Sequence, residues 1–362
     1  MTQQTIRVGF IGLNPDSHWA ATAHLPALQA LGDKYSVVAV ANSSLESSQR
    51  TAAALNLPHA FASAEELVQS DQVDLVVVTV KVPYHLELVS AALKAGKHVY
   101  CEWPLGNGLE EARQLTALAK QQGVVAVSGT QARTALEIEH VAKLIADGYV
   151  GKVLSSTLIG SGGNWSGETI EEYYYLFEEK NGANMQSIPL AHTLAAVKDV
   201  LGDFAQLDAK FVSNFETVHV TDANETRPKS VPDQIMVQGQ LESGAAISVH
   251  YRGGVSRGTN LLWEINGTEG DIQITGDLGH AQMIQLTVKG ANGEDKQLEP
   301  LMPEKDLYTG FPEFAAARNI AVIYDRLYND IQNGTNTAPT FEQAVRLHEI
   351  VDAIEKSAQS KQ

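Results

Sequence analysis

The chain has 362 residues, which is too long for one hydrophobic core and sufficient for two domains. Hydrophobic residues make up 44% and charged residues 19%, as in ordinary globular proteins. The net charge of -17 disfavours nucleic acid and anionic membranes as direct partners, because both repel an acidic surface. Cys101 is the single cysteine, so an intrachain disulfide is excluded. Without a recognisable signal peptide or membrane span, we predict a cytoplasmic protein.

The first third of the sequence alternates between strand and helix patterns. The predicted strands cover residues 6–11, 37–40, 73–80, 98–101 and 124–127. The predicted helices cover residues 19–31, 45–55, 84–95 and 109–122. This alternation predicts a doubly wound parallel sheet, so residues 1–130 are expected to form an N-terminal Rossmann domain that binds NAD or NADP.

Strand patterns dominate the remaining sequence, which begins with a predicted helix at 135–147. The predicted strands cover residues 153–159, 207–212, 235–241, 246–251, 262–265, 272–274 and 284–288. Turn residues at 242–244 and 266–270 predict hairpins, and helices are predicted at 313–333 and 341–356. Residues 131–362 are therefore predicted to form an α+β domain with a large, mainly antiparallel open sheet. Its C-terminal helices could pack back onto the first domain.

The turn after the first strand contains one glycine, where a complete dinucleotide fingerprint has three. Gly12 supplies the tight turn, and Asn14 tolerates unusual backbone angles. The amides of Ser17 and His18 could meet a pyrophosphate at the start of the next helix. The alternative is a plain strand-to-helix turn without a ligand. The surrounding strand and helix patterns favour the nucleotide.

Asn42 follows the second strand, where an acidic residue usually holds the ribose hydroxyls. An amide can also bond a hydroxyl, but it repels a 2′-phosphate less than a carboxylate does. Ser43, Ser44 and Arg50 could help to hold such a phosphate. The sequence therefore leaves the choice between NAD and NADP open.

Four segments of the chain carry a family resemblance. They are VGFIGLN at 8–14, the run from Val73 to Pro104, the run from Ser128 to Val153 and the run from Gly182 to Gly202. Together they resemble the Gfo/Idh/MocA family of oxidoreductases, the glucose–fructose oxidoreductase and inositol dehydrogenase types. HWAATAH at 18–24 and TVKVPYH at 79–85 resemble most the yeast galactose-repressor branch. That branch keeps the oxidoreductase fold in a nucleotide-sensing regulator.

The resemblance implies catalytic groups that this chain has partly lost. Family enzymes usually carry Glu-Lys-Pro after the fifth strand, whereas this chain has Glu102-Trp103-Pro104. Tryptophan cannot replace the lysine as an acid or base near neutral pH. His192 matches the family histidine, but Ile188 stands where an aspartate is often found. His192 is therefore the remaining acid–base candidate; alternatively, it only packs between the domains.

Other residues could compensate for the missing groups. Lys81 lies at the carboxyl edge of the predicted sheet, and a tyrosine at 173–175 could supply a phenol; their alternatives are a surface lysine and interface packing. The candidate catalytic residues are His192, Lys81 and Tyr174. The candidate cofactor-binding residues are Gly12, Leu13, Asn14, Ser17, His18, Trp19, Asn42, Ser43, Val80, Lys81, His85, Glu102, Trp103 and Gln131. The candidate substrate-binding residues are Trp103, Arg133, Asn164, Trp165 and His192.

Two of these assignments have structural alternatives, since Arg133 could form an ion pair and His85 could pack or cap a helix. No metal-ligand cluster is recognised. The first functional hypothesis is an NAD(P)-dependent oxidoreductase that transfers hydride from a sugar, polyol or glycoside hydroxyl. The second is a catalytically inactive, NAD(P)-binding regulator with a protein partner, and the third is a redox-cycling glycosidase or lyase. The family resemblance further implies a homodimer or homotetramer formed through the open sheet.

Overall fold

The computed structural model of the chain describes residues 4–16 and 19–360. The chain divides into two compact units. The first unit comprises Met1–Thr130 and Gly310–His348, and the second comprises Gln131–Thr309 and Glu349–Gln362. The last long helix therefore begins in the first unit and ends in the second. Within the described residues, no helix is long and apolar enough to cross a membrane.

The first unit contains a six-stranded parallel sheet. Its strands are β1 (Ile6–Ile11), β2 (Tyr35–Ala41), β3 (His59–Phe61), β4 (Leu75–Val78), β5 (His98–Glu102) and β6 (Ala126–Gly129). They lie in the order β3-β2-β1-β4-β5-β6, so the direction of winding reverses between β1 and β4. Ligands of doubly wound sheets bind at the carboxyl ends of the strands beside this reversal.

The helices of the described chain are α1 (Leu25–Ala30), α2 (Leu45–Leu55), α3 (Ala64–Gln69), α4 (His85–Lys94), α5 (Leu109–Gln122), α6 (Leu136–Ala146), α7 (Ala191–Leu201), α8 (Ala315–Asn333) and α9 (Phe341–Gln359). Local sequence explains several of their ends. The side chain of Ser44 caps α2 by accepting a hydrogen bond from Ser47 N, and Gly123 ends α5 in the left-handed conformation. Wide π-helical turns precede α1 and α7, at Ala20–His24 and Gln186–Leu190.

The chain beyond α8 covers the edge strand of the first sheet. Ser128 N on β6 donates to Pro339 O at 2.9 Å, and Val127 forms a β-bridge with Thr340. Asp330, which is buried near the end of α8, accepts hydrogen bonds from Thr337 N and Ala338 N. This carboxylate fixes the covering segment, and the edge of β6 is protected from pairing with another chain.

The second unit contains an eight-stranded sheet in the order β17-β16-β15-β14-β7-β13-β12-β9. Its strands are β7 (Val153–Ser161), β9 (Phe204–Val212), β12 (Gln234–Leu241), β13 (Ala246–Arg252), β14 (Leu261–Gly267), β15 (Gly270–Gly276), β16 (Thr287–Asn292) and β17 (Glu299–Pro300). Pairing is antiparallel except between β7 and β13. The predicted Rossmann sheet and the large, mainly antiparallel sheet are thus confirmed.

Several short elements have no counterpart in the sequence predictions. They include β3, α3, a 3-10 helix at Glu171–Phe177 and a small sheet of β8 (Glu168–Thr169), β10 (Thr217–Val220) and β11 (Glu225–Pro228). These elements are too short for an apolar period to develop. In addition, β11 reads Glu-Thr-Arg-Pro and is mostly exposed. The small sheet is therefore stabilised by its surroundings rather than by its own apolar pattern.

Candidate nucleotide and substrate sites

The turn after β1 is held close to the loop that follows β4. Gly12 has a φ of +93°, and a Cβ atom at this residue would lie 2.5 Å from Val80 Cγ1. Thr79 Oγ1 donates a hydrogen bond to Gly12 O at 2.7 Å. Both the backbone angle and the available space therefore require glycine. Such a bare turn fits the close approach of a dinucleotide pyrophosphate.

Asn42 holds this turn from the end of β2. Its Oδ1 accepts a hydrogen bond from Leu13 N at 3.0 Å, and its Nδ2 donates to Leu13 O at 2.9 Å and to Thr51 Oγ1 at 3.1 Å. Three of the four hydrogen bonds that the amide can make are thus used inside the protein. Asn42 therefore anchors the turn, and its predicted ribose contact stays a prediction. The backbone amide of Leu13 is occupied by the same interaction.

The next residues offer one buried hydrogen-bond donor. Ser17 and His18, both predicted to contact a pyrophosphate, lie outside the described residues. Asn14 Oδ1 accepts from Asp16 N, so this side chain shapes the turn. Trp19 Nε1 is buried and has no hydrogen-bond partner among the residues that the structure describes. Because an unpaired buried donor destabilises a protein by about 1–3 kcal/mol, an acceptor supplied by a ligand would stabilise it. This orphaned N–H fits a cofactor beside the turn.

The loop after β4 carries two predicted cofactor contacts with different surroundings. Lys81 is exposed just before the 3-10 turn Val82–Tyr84, beyond the carboxyl end of β4. His85 is buried, with Nδ1 at 2.8 Å from Pro104 O and Nε2 at 3.0 Å from Val80 O. Burial lowers its pKa. Both ring nitrogens lie beside backbone carbonyls of the loops after β4 and β5, and the predicted cofactor contact of His85 stays a prediction.

Trp103 occupies the position of the family lysine but is a core residue. Its side chain is buried, and its ring lies 4.4 Å from the ring of His348 on α9. His348 is also buried, and its Nε2 has no hydrogen-bond partner within the described chain. Burial, with a smaller contribution from His85, lowers the pKa of His348 to about 3. The indole thus packs inside the first unit, and the predicted cofactor and substrate contacts of Trp103 stay predictions.

Glu102 ends β5 and keeps a partly exposed carboxylate. Its Oε1 lies 3.1 Å from His24 Nε2, and its side chain is 13% exposed. The paired Cα positions place Cys101 beside Val78 and Glu102 beside Gly129. The carboxylate is thus placed at the carboxyl edge of the sheet, where a dinucleotide would bind. Glu102 remains a candidate cofactor contact.

Arg133 and Gln131 belong to the second unit, in a 3-10 turn at Gln131–Thr134. Gln131 is fully buried. Arg133 is also buried and forms a two-pronged ion pair with Asp199 on α7, with Nε 2.7 Å from Oδ2. Bidentate pairing occupies the guanidinium fork. The ion-pair alternative therefore describes Arg133 better than the predicted substrate contact.

His192 lies in the first turn of α7, directly after the π-helical turn. Its side chain is buried, and Nδ1 has no hydrogen-bond partner in residues 4–16 and 19–360. Burial, and to a smaller degree the neighbouring His280, lowers the pKa of His192 to about 3. The imidazole is therefore neutral at physiological pH. A neutral imidazole with an unpaired ring nitrogen can exchange a hydrogen bond with a substrate hydroxyl.

The glycine-rich segment after β7 packs beside His280, which is a neighbour of His192. His280 Nε2 donates to Gly162 O, and its ring stacks on Trp165 with a centroid distance of 6.2 Å. Trp165 is 1% exposed, and its Nε1 donates to Leu176 O at 2.9 Å. The indole of Trp165 thus belongs to the core, and its predicted substrate contact stays a prediction. Asn164 is half-buried and remains a candidate substrate contact.

Tyr174 is tied to the small sheet of the second unit. Its hydroxyl donates to Pro228 O at 2.9 Å, and the Arg227 guanidinium lies 5.0 Å from its ring. A phenol that donates to a backbone carbonyl is not poised to receive a proton from a substrate. These contacts favour a packing role for Tyr174, and its predicted catalytic role stays a prediction. Among the described residues, no cluster of His, Cys, Asp and Glu is suited to hold a metal ion.

Two groups near these sites were not predicted as site residues. His280 and His348 are buried histidines whose surroundings include predicted residues. His348 lies far from Trp103 in the sequence, and no local motif links the two. The position of His348 on an apolar helix face could have marked it as a candidate, but the sequence could not show that it packs on Trp103.

Comparison with known proteins assigns both parts of the chain. The family profile described as "Oxidoreductase family, NAD-binding Rossmann fold" (GFO_IDH_MocA) matches residues 6–130. The profile described as "Gal80p, C-terminal domain" matches residues 137–276.

Relatives and solved structures agree with these profiles. The galactose/lactose metabolism regulatory protein GAL80 of Kluyveromyces lactis is 32% identical over 318 residues, which is 81% of this chain and 69% of the relative. The dehydrogenase aclE of Aspergillus oryzae is 30% identical over 99% of this chain and 97% of the relative. The crystal structure of a super-repressor mutant of Gal80p from Saccharomyces cerevisiae has a TM-score of 0.90 at 25% identity, covering 99% of this chain and 97% of that structure. This chain belongs to the Gfo/Idh/MocA family of NAD-binding oxidoreductases, and its C-terminal domain is of the Gal80 type.

Proposed function

We propose that the protein oxidises a hydroxyl group of a sugar, polyol or glycoside, with His192 as the residue that hydrogen-bonds to this hydroxyl. The observation that carries the proposal is the buried Nδ1 of His192, which has no partner in the described part of the protein. A neutral imidazole can accept the hydroxyl proton as hydride leaves the adjacent carbon. When bound, the nicotinamide ring of the cofactor supplies the acceptor for this hydride.

Different residues of the first unit would bind different parts of this cofactor. The bare backbone at Gly12 would approach the pyrophosphate, and Trp19 Nε1 would donate to an oxygen of the cofactor. Lys81 is exposed and could offer a positive charge to a phosphate. Ser43 is exposed beside the start of α2, and Asn42 carries no charge that would repel a 2′-phosphate. Both NAD and NADP are therefore expected to bind.

The test is cofactor reduction, measured by absorbance, with a panel of sugars, polyols and glycosides. Reduction with at least one compound is expected, and His192→Ala should lower the rate by about 100-fold or more, as for other acid–base groups. His250→Ala is the matched control, because His250 lies on the sheet of the same unit and hydrogen-bonds Gln234. A panel without any reduction by NAD or NADP would contradict the proposal.

A second function is favoured by the packing of Trp103. With an indole in place of the usual lysine and sealed against His348, the end of β5 lacks a proton-transfer group at this position. We propose, as the alternative, a catalytically inactive regulator that binds NAD(P) and a protein partner. Copurification of one defined partner, with an affinity that changes on adding NAD(P), would support it. Gain of dehydrogenase activity in Trp103→Lys with Ile188→Asp would instead indicate a weakened enzyme.

We also propose that the protein forms a homodimer or homotetramer through the open face of the large sheet. Most of the residues that line this face from β7 to β9 are small or uncharged, including Ser155, Thr157, Gln238 and Ser248, and Asp208 on β9 is the charged one among them. Charge depletion is typical of the centre of an interface between proteins. Light scattering should show an oligomer, and Ser248→Glu should dissociate it. A wild-type monomer at high protein concentration would contradict this proposal.

A further inference from the structure

A chain of hydrogen bonds runs through the interior of the first unit from α8 to the end of β5. Tyr35 OH donates to the backbone carbonyl of Tyr324 at 2.7 Å, beside the chain rather than within it. The hydroxyl of Tyr324 lies 2.8 Å from His24 Nδ1, and His24 Nε2 lies 3.1 Å from Glu102 Oε1. His24 is completely buried, whereas Glu102 keeps 13% of its side chain exposed. The chain therefore leads from the core to a carboxylate at the sheet edge.

The partners of His24 determine which ring nitrogen carries the proton. An ionised carboxylate only accepts hydrogen bonds, so Nε2 must donate to Glu102. In a neutral imidazole Nδ1 is then the acceptor, and Tyr324 donates its hydroxyl proton to it. The tyrosine thus selects the tautomer that can hold the carboxylate.

Packing also fixes the orientation of the His24 ring. His24 is the last residue of the π-helical turn Ala20–His24, and Leu25 N closes this turn on Ala20 O. The rings of Phe10, Tyr100 and Tyr324 meet the imidazole edge-on at centroid distances of 6.0, 5.0 and 5.7 Å. Wide turns of this kind often occur at functional positions, where they redirect a side chain. The imidazole therefore has little freedom to turn away from Glu102.

The position of Glu102 indicates which half of a dinucleotide it would meet. Strands β1 to β3 form one half of the doubly wound sheet, and β4 to β6 form the other. Each half of this fold binds one mononucleotide. Since Gly12 at the end of β1 serves the pyrophosphate, Glu102 at the end of β5 belongs to the half that binds the nicotinamide nucleotide.

We propose that His24 and Tyr324 are positioning residues that hold the Glu102 carboxylate for the ribose of the nicotinamide half. The ribose hydroxyls would donate to this carboxylate. The inference rests on the proposed function only in requiring that a nicotinamide dinucleotide binds. Tyr324 thus makes α8 a support of the nucleotide site, although α8 lies far from the Rossmann strands in the sequence.

The test compares two variants that each remove one buried hydroxyl. Tyr324→Phe loses the donor to His24, whereas Tyr35→Phe loses a donor to a backbone carbonyl and leaves His24 untouched. Dissociation constants are measured for NADH and for ADP, which lacks the nicotinamide half. Tyr324→Phe should weaken NADH binding about tenfold, the usual effect of losing one hydrogen bond to a charged group, because the ribose loses its contact with the misplaced Glu102 carboxylate. ADP binding should be unchanged. Tyr35→Phe should leave both constants near the wild-type values.

Two further measurements separate positioning from general damage. The ¹⁵N spectrum of His24 should report a protonated Nε2 in the wild type and a changed tautomer or mixture in Tyr324→Phe. Combining Tyr324→Phe with Glu102→Gln should weaken NADH binding no further than Glu102→Gln alone, because both act on one contact. Equal effects of Tyr324→Phe and Tyr35→Phe, or equal losses for NADH and ADP, would overturn the proposal.

The same experiment distinguishes failure of this inference from failure of the proposed function. Wild-type NADH binding that is insensitive to Tyr324→Phe overturns only the positioning role. Sensitivity to Tyr324→Phe in a protein that oxidises no sugar supports the positioning role and contradicts the oxidoreductase proposal. A wild-type protein that binds no dinucleotide overturns both.

Discussion

Gly12 illustrates how one residue controls the nucleotide turn. Its φ of +93° is unfavourable for any side chain, and the added Cβ would also meet Val80 Cγ1 at 2.5 Å. Gly96 has a similarly positive φ of +73°, but a Cβ there would meet nothing within 4 Å in the described residues. Comparing Gly12 with Gly96 therefore separates the effect of a positive φ from the effect of the close contact with Val80.

We predict that Gly12→Ala destabilises the first unit more than Gly96→Ala. Both variants lose about 1 kcal/mol or slightly more to the backbone angle. Gly12→Ala must also displace Val80, which adds about 1–3 kcal/mol of overpacking. Thermal unfolding measures the difference, and NADH titration should show weaker binding for Gly12→Ala alone. Equal melting temperatures for the two variants would contradict the structural role of the contact.

At the same scale, sequence reasoning identified positions better than partners. It placed Trp103 at the family lysine and recognised that an acid–base group was missing there. It could not show that the indole packs on His348, because that contact joins distant parts of the chain. Likewise, Asn42 was recognised as unusual, but its bonds to Leu13 depend on the three-dimensional approach of two strand ends.

At the scale of elements, long and strongly patterned segments could be predicted and short ones could not. The apolar run before residue 80 gave β4, and turn residues gave the hairpins β12–β13 and β14–β15. The small sheet escaped prediction, because β8 has two residues and β11 ends in proline. The partner of β8 is the distant strand β10, whereas β11 pairs with the adjacent β10. The position of β8 therefore depends on tertiary context rather than local preference.

Asp330 shows how one side chain can fix the position of an element. Its carboxylate accepts hydrogen bonds from Thr335 Oγ1 at 2.6 Å, from Thr337 N at 2.8 Å and from Ala338 N at 2.9 Å. Burial alone would raise the pKa of Asp330, but these hydrogen bonds outweigh it and lower the pKa. The charged form is therefore the one that secures the segment over β6.

We predict that Asp330→Asn destabilises the protein by about 3 kcal/mol. The NH2 group of the new side chain cannot accept the hydrogen bonds that Thr335, Thr337 and Ala338 donate to the carboxylate. Asp325→Asn is the matched control on the same helix. Asp325 pairs with Lys34 at a partly exposed site, so its loss should cost less than about 1 kcal/mol. Denaturant unfolding compares the two variants. An Asp330→Asn effect as small as that of Asp325→Asn would show that the segment is secured by other contacts.

At the scale of the whole molecule, buried and half-buried histidines in both units make the folded state less stable in acid. Burial is the main cause that lowers the pKa of His85, His98 and His348 in the first unit and of His140, His192, His250 and His280 in the second. An unfolded chain takes up protons at these residues as the pH falls below about 6.5. The folded chain resists protonation, so acidification favours unfolding.

We predict that the melting temperature falls steeply between pH 7 and pH 5, and that His348→Phe reduces this fall. The pKa of His348 and that of His192 are each lowered to about 3. At pH 5 each therefore destabilises the folded state by roughly 2 kcal/mol relative to neutral pH, an effect that grows until the pH approaches the folded-state pKa. Phenylalanine preserves a ring against Trp103 but cannot bind a proton. Scans at pH 8 provide the reference, because histidine is neutral there in both states. If His348→Phe lost as much stability as the wild type between pH 7 and pH 5, protonation of His348 would not contribute to acid unfolding.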